Sequence, residues 1–576
     1  MQDACDRKNK LYYNYVKNRS IENKTKYEKM KKFVEKHIKK LKHKYYTEYF
    51  RKYAHDSRKQ WKMINSLLNR KKPNTKIGKL ILDGDAENDS ELTSPGEISN
   101  AFNDYFCEIA KKLKDNSTYT ANPDTPKFRD KRVVNSIYLS ECSTTEIEEI
   151  VKSLKNKSTS DTAIVALKYV STSISSTLRA IINTSLKQGA FPEELKLAKV
   201  IPIHKSGKKT NVSNYRPISL LSIFSKIYEK AMHKRLYEFF SRNDTIYKHQ
   251  YGFRKQHSCE HALLEAQYTL TKALDNKQIS ALLLIDFSKA FDMVDHTTLI
   301  HKLEHYGIRG HALDWLKSYL EKRQQYVNVN GHNSRTRNLS CGVPQGSILG
   351  PLLFVIFINA LPYIDNLAKF ILYADDANII FTGKSIEVIE MNIRNFISEL
   401  EGWVALNGLK LNISKTKYML FSNRTTRDIN IEISATLIER KHTERFLGVI
   451  IDDQLNFNQH RATLASKIAR NAGVIYKVKG IVPLNVIKTL YNSFIQSHLV
   501  YCSNVWGLGS KRSVERIFTA QKRAIRGVKQ GFVNYFYKKD TGELPAHTKN
   551  IFAENEYLCK KSLRTLYQNP LTIISN

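Results

Sequence analysis

The sequence contains few cysteines, and their arrangement would not organise a fold. The seven cysteines are odd in number, lie far apart and include no CxxC pair. This spacing indicates neither a disulfide framework nor a zinc knuckle, and it fits a reducing compartment. We therefore expect the fold to depend on an apolar core, for which the 41% of hydrophobic residues is sufficient.

Long apolar stretches are also missing. The longest run, residues 352–364, includes Asn359 and is too short to cross a bilayer. Basic residues and tyrosines dominate the first segment, which lacks the apolar core of a signal peptide. These absences predict a soluble, intracellular chain that is neither secreted nor inserted in a membrane.

Acidic residues are scarce relative to basic ones. The 92 Lys and Arg exceed the 55 Asp and Glu, which leaves a formal net charge of +37. A surplus of this size favours a polyanionic partner, because each neutralised phosphate releases condensed counterions and strengthens binding. Nucleic acid is the expected partner, and an anionic membrane surface is the alternative.

At 576 residues the chain is too long for one compact core, so roughly two to four domains are expected. Polar stretches with proline and glycine mark the boundaries. The predicted divisions are a basic helical N-terminal extension at 1–72, a linker with one helix at 73–138, a mixed helix-and-strand region at 139–453, a helical region at 454–530 and a basic C-terminal segment at 531–576. Individual helices are predicted at 97–113, 464–476, 484–500 and 514–528.

The N-terminal extension is the most basic part of the chain. Its 72 residues hold 23 Lys and Arg against seven Asp and Glu. From Ile21 to about Asn69 there is no proline or glycine, and apolar or aromatic residues recur at helical spacing. The pattern predicts a basic helix whose aromatic stripe packs on a neighbour, or a helical clamp whose lysines contact phosphates and whose tyrosines stack on bases. The two interpretations are compatible.

Two separate segments place carboxylates at the ends of apolar runs. The run 281–285 is typical of a buried strand and ends at Asp286. Further on, apolar arms at 370–372 and 378–381 flank Asp375 and Asp376, which predicts a tight β-hairpin with the acidic pair at its turn. A strand-end cap and an Asx turn are the structural alternatives. A strand end and a neighbouring hairpin tip can, however, converge on one point.

Converging carboxylates suit nucleotidyl transfer. Hard divalent cations need carboxylate oxygens, and crowded carboxylates without a cation repel one another. Two Mg²⁺ ions about 4 Å apart would activate a primer 3′-hydroxyl and hold the triphosphate of an incoming nucleotide. The pattern therefore predicts a two-metal site.

Further motifs accompany these acids in a fixed order. They are Ile-Pro-Ile-His-Lys at 201–205, Asn-Tyr-Arg-Pro-Ile-Ser at 214–219, Gln-Tyr-Gly-Phe-Arg at 250–254, the Asp286 segment, Gly-Val-Pro-Gln-Gly-Ser at 342–347, Tyr-Ala-Asp-Asp at 373–376, Gly-Leu-Lys-Leu-Asn at 408–412 with Lys-Thr at 415–416, and Phe-Leu-Gly at 446–448. This order resembles the reverse transcriptases of non-long-terminal-repeat retrotransposons, the jockey kind in particular, over about residues 140–530.

The resemblance implies roles for the acids. Asp286, Asp375 and Asp376 are the expected catalytic, metal-binding carboxylates, and the carbonyl of Phe287 is a further candidate ligand. Two Mg²⁺ ions are the implied cofactors, with Mn²⁺ as a substitute.

It also implies a pocket for the incoming nucleotide. Phe291 matches the steric gate that disfavours a ribose 2′-hydroxyl, and core packing is its alternative role. Gln345 matches a residue that lines the nucleotide pocket, beside Gly346, which would permit close backbone approach; an ordinary turn is the alternative. Asp292 and Asp295 match acids that are not metal ligands, and structural hydrogen bonding is expected of them.

Three basic residues complete the implied site. Lys205 and Arg216 resemble residues that grip the triphosphate, with simple surface basicity as the alternative. Lys415 resembles a lysine proposed to protonate pyrophosphate, and Lys417 is a competing candidate two residues away.

The implied fold is α+β, a right-hand polymerase with fingers at 199–265, an antiparallel-sheet palm at 280–453 and a helical thumb at about 464–528. The implied activity is RNA-directed DNA synthesis, with template RNA, a DNA primer or target DNA, and dNTPs as partners. The expected location is the nucleus or a cytoplasmic ribonucleoprotein. The protein partners are unknown.

Two alternatives stay open. The chain could be an intron-type or telomerase-like reverse transcriptase, or a non-catalytic nucleic-acid-binding remnant of a decayed element. Nothing in the sequence matches the apurinic-type endonuclease that usually precedes this family's polymerase. We therefore expect a fragmentary or 5′-truncated element product that cannot nick its own target.

Overall fold

The structure, a computed structural model, describes residues 1–70, 76–82, 90–115, 130–155, 161–424, 426–507 and 511–536. The chain divides into two compact units, one formed by Met1–Asn74 with Glu444–Asn576 and the other by Thr75–Thr443. Parts of the predicted linker at 73–138 and most of the predicted C-terminal segment at 531–576 lie outside the described residues.

The helices in the described ranges are α1 (Gln2–Lys17), α2 (Ile21–Lys52), α3 (Ser57–Leu67), α4 (Pro95–Asp115), α5 (Thr144–Ser153), α6 (Asp161–Tyr169), α7 (Ser171–Gln188), α8 (Ile223–Arg242), α9 (Cys259–Asp275), α10 (His296–His305), α11 (His311–Leu320), α12 (Gly350–Ile358), α13 (Ile386–Leu406), α14 (Asn458–Val478), α15 (Leu484–Tyr491), α16 (Ser497–Val500), α17 (Ser503–Trp506) and α18 (Lys511–Phe536).

The strands are β1 (Leu80–Leu82), β2 (Ser90–Leu92), β3 (Leu197–His204), β4 (Tyr215–Leu220), β5 (Ile279–Ile285), β6 (Gln324–Val329), β7 (His332–Asn333), β8 (Arg337–Asn338), β9 (Lys369–Tyr373), β10 (Asp376–Gly383), β11 (Lys417–Phe421), β12 (Glu432–Ile433), β13 (Thr436–Leu437), β14 (Glu439–Arg440), β15 (Thr443–Phe446) and β16 (Val449–Asp452). This mixture of helices and sheets confirms the predicted α+β class.

The core of the second unit is built around a five-stranded sheet in the order β14-β11-β5-β10-β9. Its neighbouring strands are antiparallel, except for the parallel pair β11 and β14. The central strand β5 is apolar and almost entirely buried because strands flank it on both sides and helices pack on the sheet. The helices α9 and α13 contact this sheet, and Ser258 and Ser385 cap their first turns by accepting backbone N–H bonds.

A second sheet lies in the same unit, in the order β4-β3-β6-β7, with β8 also paired to β6. β3 runs antiparallel to β4 and parallel to β6. Helix α4 packs on β6, and its Phe102 and Phe106 join a small core with Val200, Tyr215 and Val327. This packing fixes the β3–β4 pair, which carries Arg216 on β4 and is followed directly by Lys205 after the end of β3.

The first unit contains the N-terminal helices and the C-terminal helices together. Tyr27 of α2 contacts Tyr12 of α1, with ring centroids 5.1 Å apart. The ring of Trp61 in α3 lies 5.6 Å from that of Phe494, which belongs to the π-helical turn Asn492–Gln496 between α15 and α16. Helices α14 and α18 pack along each other. The N-terminal extension is thus part of a packed unit.

Several predicted elements are confirmed. The strand at 281–285 corresponds to β5, the hairpin to β9 and β10, and the helices at 97–113, 464–476 and 514–528 to α4, α14 and α18. The helix predicted at 484–500 is continuous through its π-helical turn.

The helix predicted over 21–69 is wrong in one respect, because it breaks after Lys52. Asp56 starts α3 there by accepting a bond from the Lys59 N–H at 3.0 Å. Helix α1 was missed by the periodicity.

None of the helices in the described ranges combines the length and apolar content that crossing a bilayer requires. The described cysteines, Cys5, Cys107, Cys142, Cys259, Cys341 and Cys502, are free thiols.

Candidate active site

Asp286 stands at the end of β5, where the chain leaves the central sheet. Its backbone carbonyl accepts a bond from the Asn412 N–H at 2.8 Å, and the Ser288 N–H donates to the Lys410 carbonyl at 2.8 Å. These bonds fix the backbone on either side of Phe287, whose side chain is buried in the core. The metal-binding role of the Phe287 carbonyl stays a prediction.

The acidic pair lies at the hairpin between β9 and β10. Tyr373 pairs with Asp376, so Ala374 and Asp375 form a two-residue turn. Ala374 has a φ of +56°, a left-handed conformation that alanine adopts reluctantly. A positive φ at the first turn position matches a tight hairpin turn of the II′ kind, which follows the twist of the flanking strands.

The sheet register brings the two segments together. β10 pairs antiparallel with β5, and the last pair joins Ala377 to Ile285. Continuing this register by one residue places Asp376 opposite Asp286. The structure therefore brings together three aspartates from segments about 90 residues apart, as the sequence pattern predicts.

Electrostatics shows that the three carboxylates influence one another. Desolvation by the surrounding protein raises the pKa of Asp375 above its usual value, and the charge of Asp286 adds to the shift. Asp376 is exposed at its surface, yet protein mass around it, followed by repulsion from Asp375 and Asp286, raises its pKa to about 6. Both carboxyls therefore hold protons more tightly than ordinary aspartates.

Basic side chains surround the acidic cluster. Desolvation, and then repulsion from Lys415 and Arg216, lowers the pKa of Lys205. Arg216 faces Ile203 across the β3–β4 pair, which places it close to Lys205 in the adjoining loop. Both cations interact electrostatically with Asp375. The structure thus brings the two predicted triphosphate residues to the same place as the acids.

Lys415 contacts the cluster directly, whereas Lys417 does not. The Lys415 ammonium lies 3.1 Å from Asp286 Oδ2. Lys417 instead pairs with Glu439 at 2.8 Å, within the β11–β14 edge of the sheet. Of the two lysines that the sequence left in competition, the position therefore favours Lys415.

The loop that carries Gln345 is held against β4. The Ser219 N–H donates to the Gln345 carbonyl at 2.8 Å. Gly346 has a φ of +131°, and a Cβ added there would lie 2.4 Å from the Ser219 carbonyl oxygen. Only glycine fits this approach without displacing backbone.

The Gln345 side chain is oriented by Asp292, since its Nε2 donates to Asp292 Oδ1 at 2.8 Å. Asp292 retains some surface exposure, but the protein around it raises the pKa of its carboxyl to about 6, against the Gln345 bond and the charge of Lys289. The hydrogen-bonding role predicted for Asp292 is therefore present. Asp295 also has such a role, because it caps α10 through the Thr298 N–H at 2.9 Å.

Phe291 packs against the main core of its unit. Its ring stacks on that of Phe354 in α12, with centroids 4.4 Å apart, and remains partly exposed. Its carbonyl accepts a bond from the Val343 N–H at 2.9 Å. Packing and a steric role are both compatible with this position, and the steric gate stays a prediction.

The carboxylate oxygens of the three aspartates are suitable ligands for divalent cations, although they do not form a complete coordination site. Among the described residues, no three His, Cys, Asp or Glu side chains are placed to hold one metal ion. Desolvation, and then repulsion among the carboxylates, nevertheless raises the pKa of Asp375 and Asp376, and a bound cation would relieve that repulsion. Protein side chains need not complete the site, because part of a Mg²⁺ shell comes from phosphates and water. The residues therefore fit the predicted metal.

The sequence missed two side chains beside the site. Lys289 donates from Nζ to the carbonyls of Ser213 and Tyr215 at 3.2 and 3.3 Å, and so ties the loop after β5 to the start of β4. Gln250 contacts the turn of the acidic hairpin, because its Oε1 accepts a bond from the Ala374 N–H at 3.1 Å. Its motif was visible in the sequence, but the motif alone does not show what the side chain touches.

Comparison with known proteins agrees with this geometry. Residues 203–451 match the family model for "Reverse transcriptase (RNA-dependent DNA polymerase)". That range contains β4, the central sheet, the three aspartates and every predicted nucleotide-binding residue, and it begins at Ile203 near the end of β3. The chain therefore carries a reverse transcriptase domain.

The relatives refine this class. The "Probable RNA-directed DNA polymerase from transposon BS" of Drosophila melanogaster is 30% identical over 405 residues, which cover 66% of this chain and 44% of that protein. The "RNA-directed DNA polymerase from mobile element jockey" of the same species is 30% identical over 363 residues, covering 61% of this chain and 39% of that protein. The chain is similar to the jockey-like reverse transcriptases of non-long-terminal-repeat retrotransposons, as its motif order predicts. It spans less than half the length of these curated relatives.

A solved structure of apo telomerase from Candida Tropicalis aligns with 64% of this chain and 65% of its own, at 14% identity and a TM-score of 0.35. A likeness this weak supports no inference about the fold or the function.

Proposed function

We propose that the chain is an RNA-directed DNA polymerase that adds dNTPs to a DNA primer along an RNA template. The observation that carries the proposal is the convergence of Asp286 with the hairpin pair Asp375 and Asp376 within a reverse transcriptase domain. The names of the two Drosophila relatives, which describe RNA-directed DNA polymerases, support the choice of template and product.

Asp286, Asp375 and Asp376 would hold the divalent cations. When bound, a pair of Mg²⁺ ions, or Mn²⁺ in their place, favours deprotonation of the primer 3′-hydroxyl and neutralises charge on the triphosphate. The three aspartates favour bound cations, because each carboxylate raises the energy of its ionised neighbours and a cation offsets that repulsion. The Lys415 ammonium provides counter-charge to Asp286, 3.1 Å away, and would donate a proton to the departing pyrophosphate.

Lys205 and Arg216 would bind the triphosphate. Desolvation, and then repulsion from Lys415 and Arg216, lowers the pKa of Lys205, and a bound polyanion would relieve that repulsion. Arg216 supplies a planar, bidentate donor and Lys205 a point charge. The acidic cluster therefore matches the bound cations, and the basic side chains match the triphosphate.

The loop at Gln345 and Gly346, together with Phe291, would form the nucleotide pocket. The backbone of Gly346 lies against β4 without a side chain between them. Gln345 is held by Asp292, and Phe291 is held by Phe354. A fixed ring at Phe291 would obstruct a ribose 2′-hydroxyl, which favours deoxynucleotides.

The finer architecture follows the same proposal. Residues 199–265 would act as fingers, 280–453 as palm and 464–528 as thumb. The exposed cations of α18, namely Arg516, Lys522, Arg523 and Arg526, support nucleic-acid binding by the thumb. The basic helices α1 and α2 expose Tyr12, Tyr13 and Tyr45 and would add affinity for the template or primer. A nuclear or ribonucleoprotein location fits these partners.

Primer extension tests the proposal. Purified full chain is given an RNA template with an annealed DNA primer, dNTPs and Mg²⁺, and the expected product is extended DNA. Asp375→Asn should remove extension by a factor of at least about 1,000 while RNA affinity stays within about twofold, because only the carboxylate charge changes. RNA binding without extension by the wild-type chain would instead identify a non-catalytic binding remnant.

A further inference from the structure

The segment around Gln250 covers the outer edge of the central sheet. The Tyr251 N–H donates to the Leu372 carbonyl at 2.8 Å, and the Leu372 N–H donates to the His249 carbonyl at 3.0 Å. Gln250 thus forms a parallel bridge with Leu372 on β9, the edge strand of the sheet. The segment lies alongside the hairpin that ends in the acidic pair.

The Gln250 side chain reaches the turn of that hairpin. It is 1% exposed, and its Oε1 accepts bonds from the Ala374 N–H at 3.1 Å and the Gly252 N–H at 2.9 Å. Two backbone donors on one atom identify that atom as the amide oxygen, because the amide nitrogen cannot accept. Gln250 therefore ties its own loop and the turn to one point.

The turn needs such an acceptor. Ala374 is 5% exposed, so its N–H is shielded from water. The paired residues of the hairpin stop at Tyr373 and Asp376, and the Ala374 N–H therefore takes no part in the strand ladder. A buried N–H without an acceptor is costly, and Ala374 also holds a left-handed φ of +56°. The Gln250 oxygen accepts a bond from this N–H and so offsets the cost of burying it, at the residue directly before Asp375.

Gly252 allows this contact. A Cβ added to Gly252 would lie 2.4 Å from the Ala374 nitrogen, closer than any real contact permits. Arg254 closes the loop from its other end by donating from Nη1 to the Tyr247 carbonyl at 3.0 Å. The segment is therefore shaped to lie directly against the turn.

We propose that Gln250 is a positioning residue that holds the turn carrying Asp375 and Asp376 in its metal-binding conformation, with Gly252 providing the close approach. The proposal rests on the proposed function, because it assigns Gln250 an effect on the catalytic pair. Gln250 touches neither substrate nor metal in this role and acts through the Ala374 backbone.

A role in core packing alone makes a different forecast. Loss of packing lowers the stability of the whole unit, whereas loss of the Ala374 bond loosens the turn and lowers kcat without weakening dNTP binding. Gln325 offers a matched control. It is 4% exposed in the same unit and donates to Asn103 Oδ1 at 3.0 Å, away from the acidic cluster.

The first experiment compares Gln250→Met, Gln250→Glu and Gln325→Met in the full chain. Gln250→Met should lower kcat roughly 10- to 100-fold, the range expected for one unmade buried hydrogen bond, with the KM for dNTP within about threefold. Gln250→Glu keeps an oxygen at the same place and should retain more activity than Gln250→Met. Gln325→Met should keep the wild-type kcat. Equal kcat values for the wild type and Gln250→Met overturn the proposal.

Hydrogen exchange separates this inference from the proposed function. Amides of a peptide spanning 372–377 should exchange roughly 10- to 100-fold faster in Gln250→Met and stay protected in Gln250→Glu and Gln325→Met. This readout needs no catalysis, so it judges the inference even if the wild-type chain fails to extend a primer. Unchanged exchange in Gln250→Met contradicts the proposal.

A second variant covers the case in which Gln250→Met does not fold. Gly252→Ala inserts the Cβ that collides with the Ala374 nitrogen and should displace the turn, with the same loss of kcat and of protection. Gly473→Ala is its control, since a Cβ there meets nothing within 4 Å. Wild-type kcat and wild-type protection in Gly252→Ala overturn the proposal.

Discussion

Replacing Asp292 by asparagine should change how stability depends on pH. The pKa of the Asp292 carboxyl is raised from 3.8 to about 6 in the folded chain, chiefly by desolvation. This shift of about 2 pH units corresponds to about 3 kcal/mol, at about 1.4 kcal/mol per unit. Asparagine has a similar shape, can accept the Gln345 bond and does not ionise, so the variant isolates the charge.

The sign follows from proton linkage. The folded chain holds the Asp292 proton more tightly than the unfolded chain, so below about pH 4 both states are protonated and the charge costs nothing. As the pH rises towards and beyond 6, the unfolded chain ionises freely while the folded chain does so against burial. The wild type therefore loses up to about 3 kcal/mol over this interval, and Asp292→Asn does not.

The assay is urea unfolding of both chains at several pH values between 4 and 7.5. The buried Trp315 and Trp403 report the unit that contains Asp292. The variant should match the wild type near pH 4 and exceed its stability by about 1–3 kcal/mol at pH 7. Asp314→Asn, at an exposed aspartate of α11, is the control and should show one constant difference. A difference for Asp292→Asn that is the same at every pH would refute the reasoning.

Three further substitutions test the nucleotide site by primer extension. Gly346→Ala should lower kcat/KM for dNTP at least about tenfold, because its Cβ would lie 2.4 Å from a β4 carbonyl oxygen. The control Gly331→Ala, at a φ of +95° in open space, should leave kcat/KM near the wild-type value. Equal effects of the two substitutions would exclude the collision as the cause. Phe291→Val should raise the ratio of ribonucleotide to deoxynucleotide incorporation at least about tenfold. An unchanged ratio would show that the Phe291 ring has a packing role only. Lys415→Met should lower kcat roughly 10- to 100-fold, and Lys417→Met should not, because only Lys415 contacts Asp286; similar losses in both would remove the distinction between them.

Local patterns in the sequence predicted the framework of the site. The apolar run before Asp286 is typical of a buried strand or helix segment. The apolar arms that flank Asp375 and Asp376 are typical of a β-hairpin with a polar turn. The order of the motifs supplied the rest, since residues 377–381 of β10 are buried on both faces of the sheet and burial alone does not set the register. The convergence of the aspartates was therefore predictable from the pattern and the motif order together.

Contacts between distant segments were not predictable in this way. Gln250 meets Ala374 across 124 residues, and Asp292 meets Gln345 across 53. Neither contact produces a periodicity or a characteristic spacing in the sequence, because each depends on how the loops pack against one another. The break before α3 was missed for a related reason, because one capping side chain at Asp56 outweighed an uninterrupted helical pattern.

Catalysis by this chain requires that Asp286, Asp375 and Asp376 bind the same divalent cations. Mn²⁺ titration followed by electron paramagnetic resonance measures this directly in the full chain, without template or primer. Asp286→Asn and Asp375→Asn should each weaken Mn²⁺ binding at least about tenfold relative to the wild type, and Asp314→Asn should not. Wild-type Mn²⁺ affinity in Asp286→Asn would show that the end of β5 and the hairpin do not share a metal site, and the central claim would be wrong.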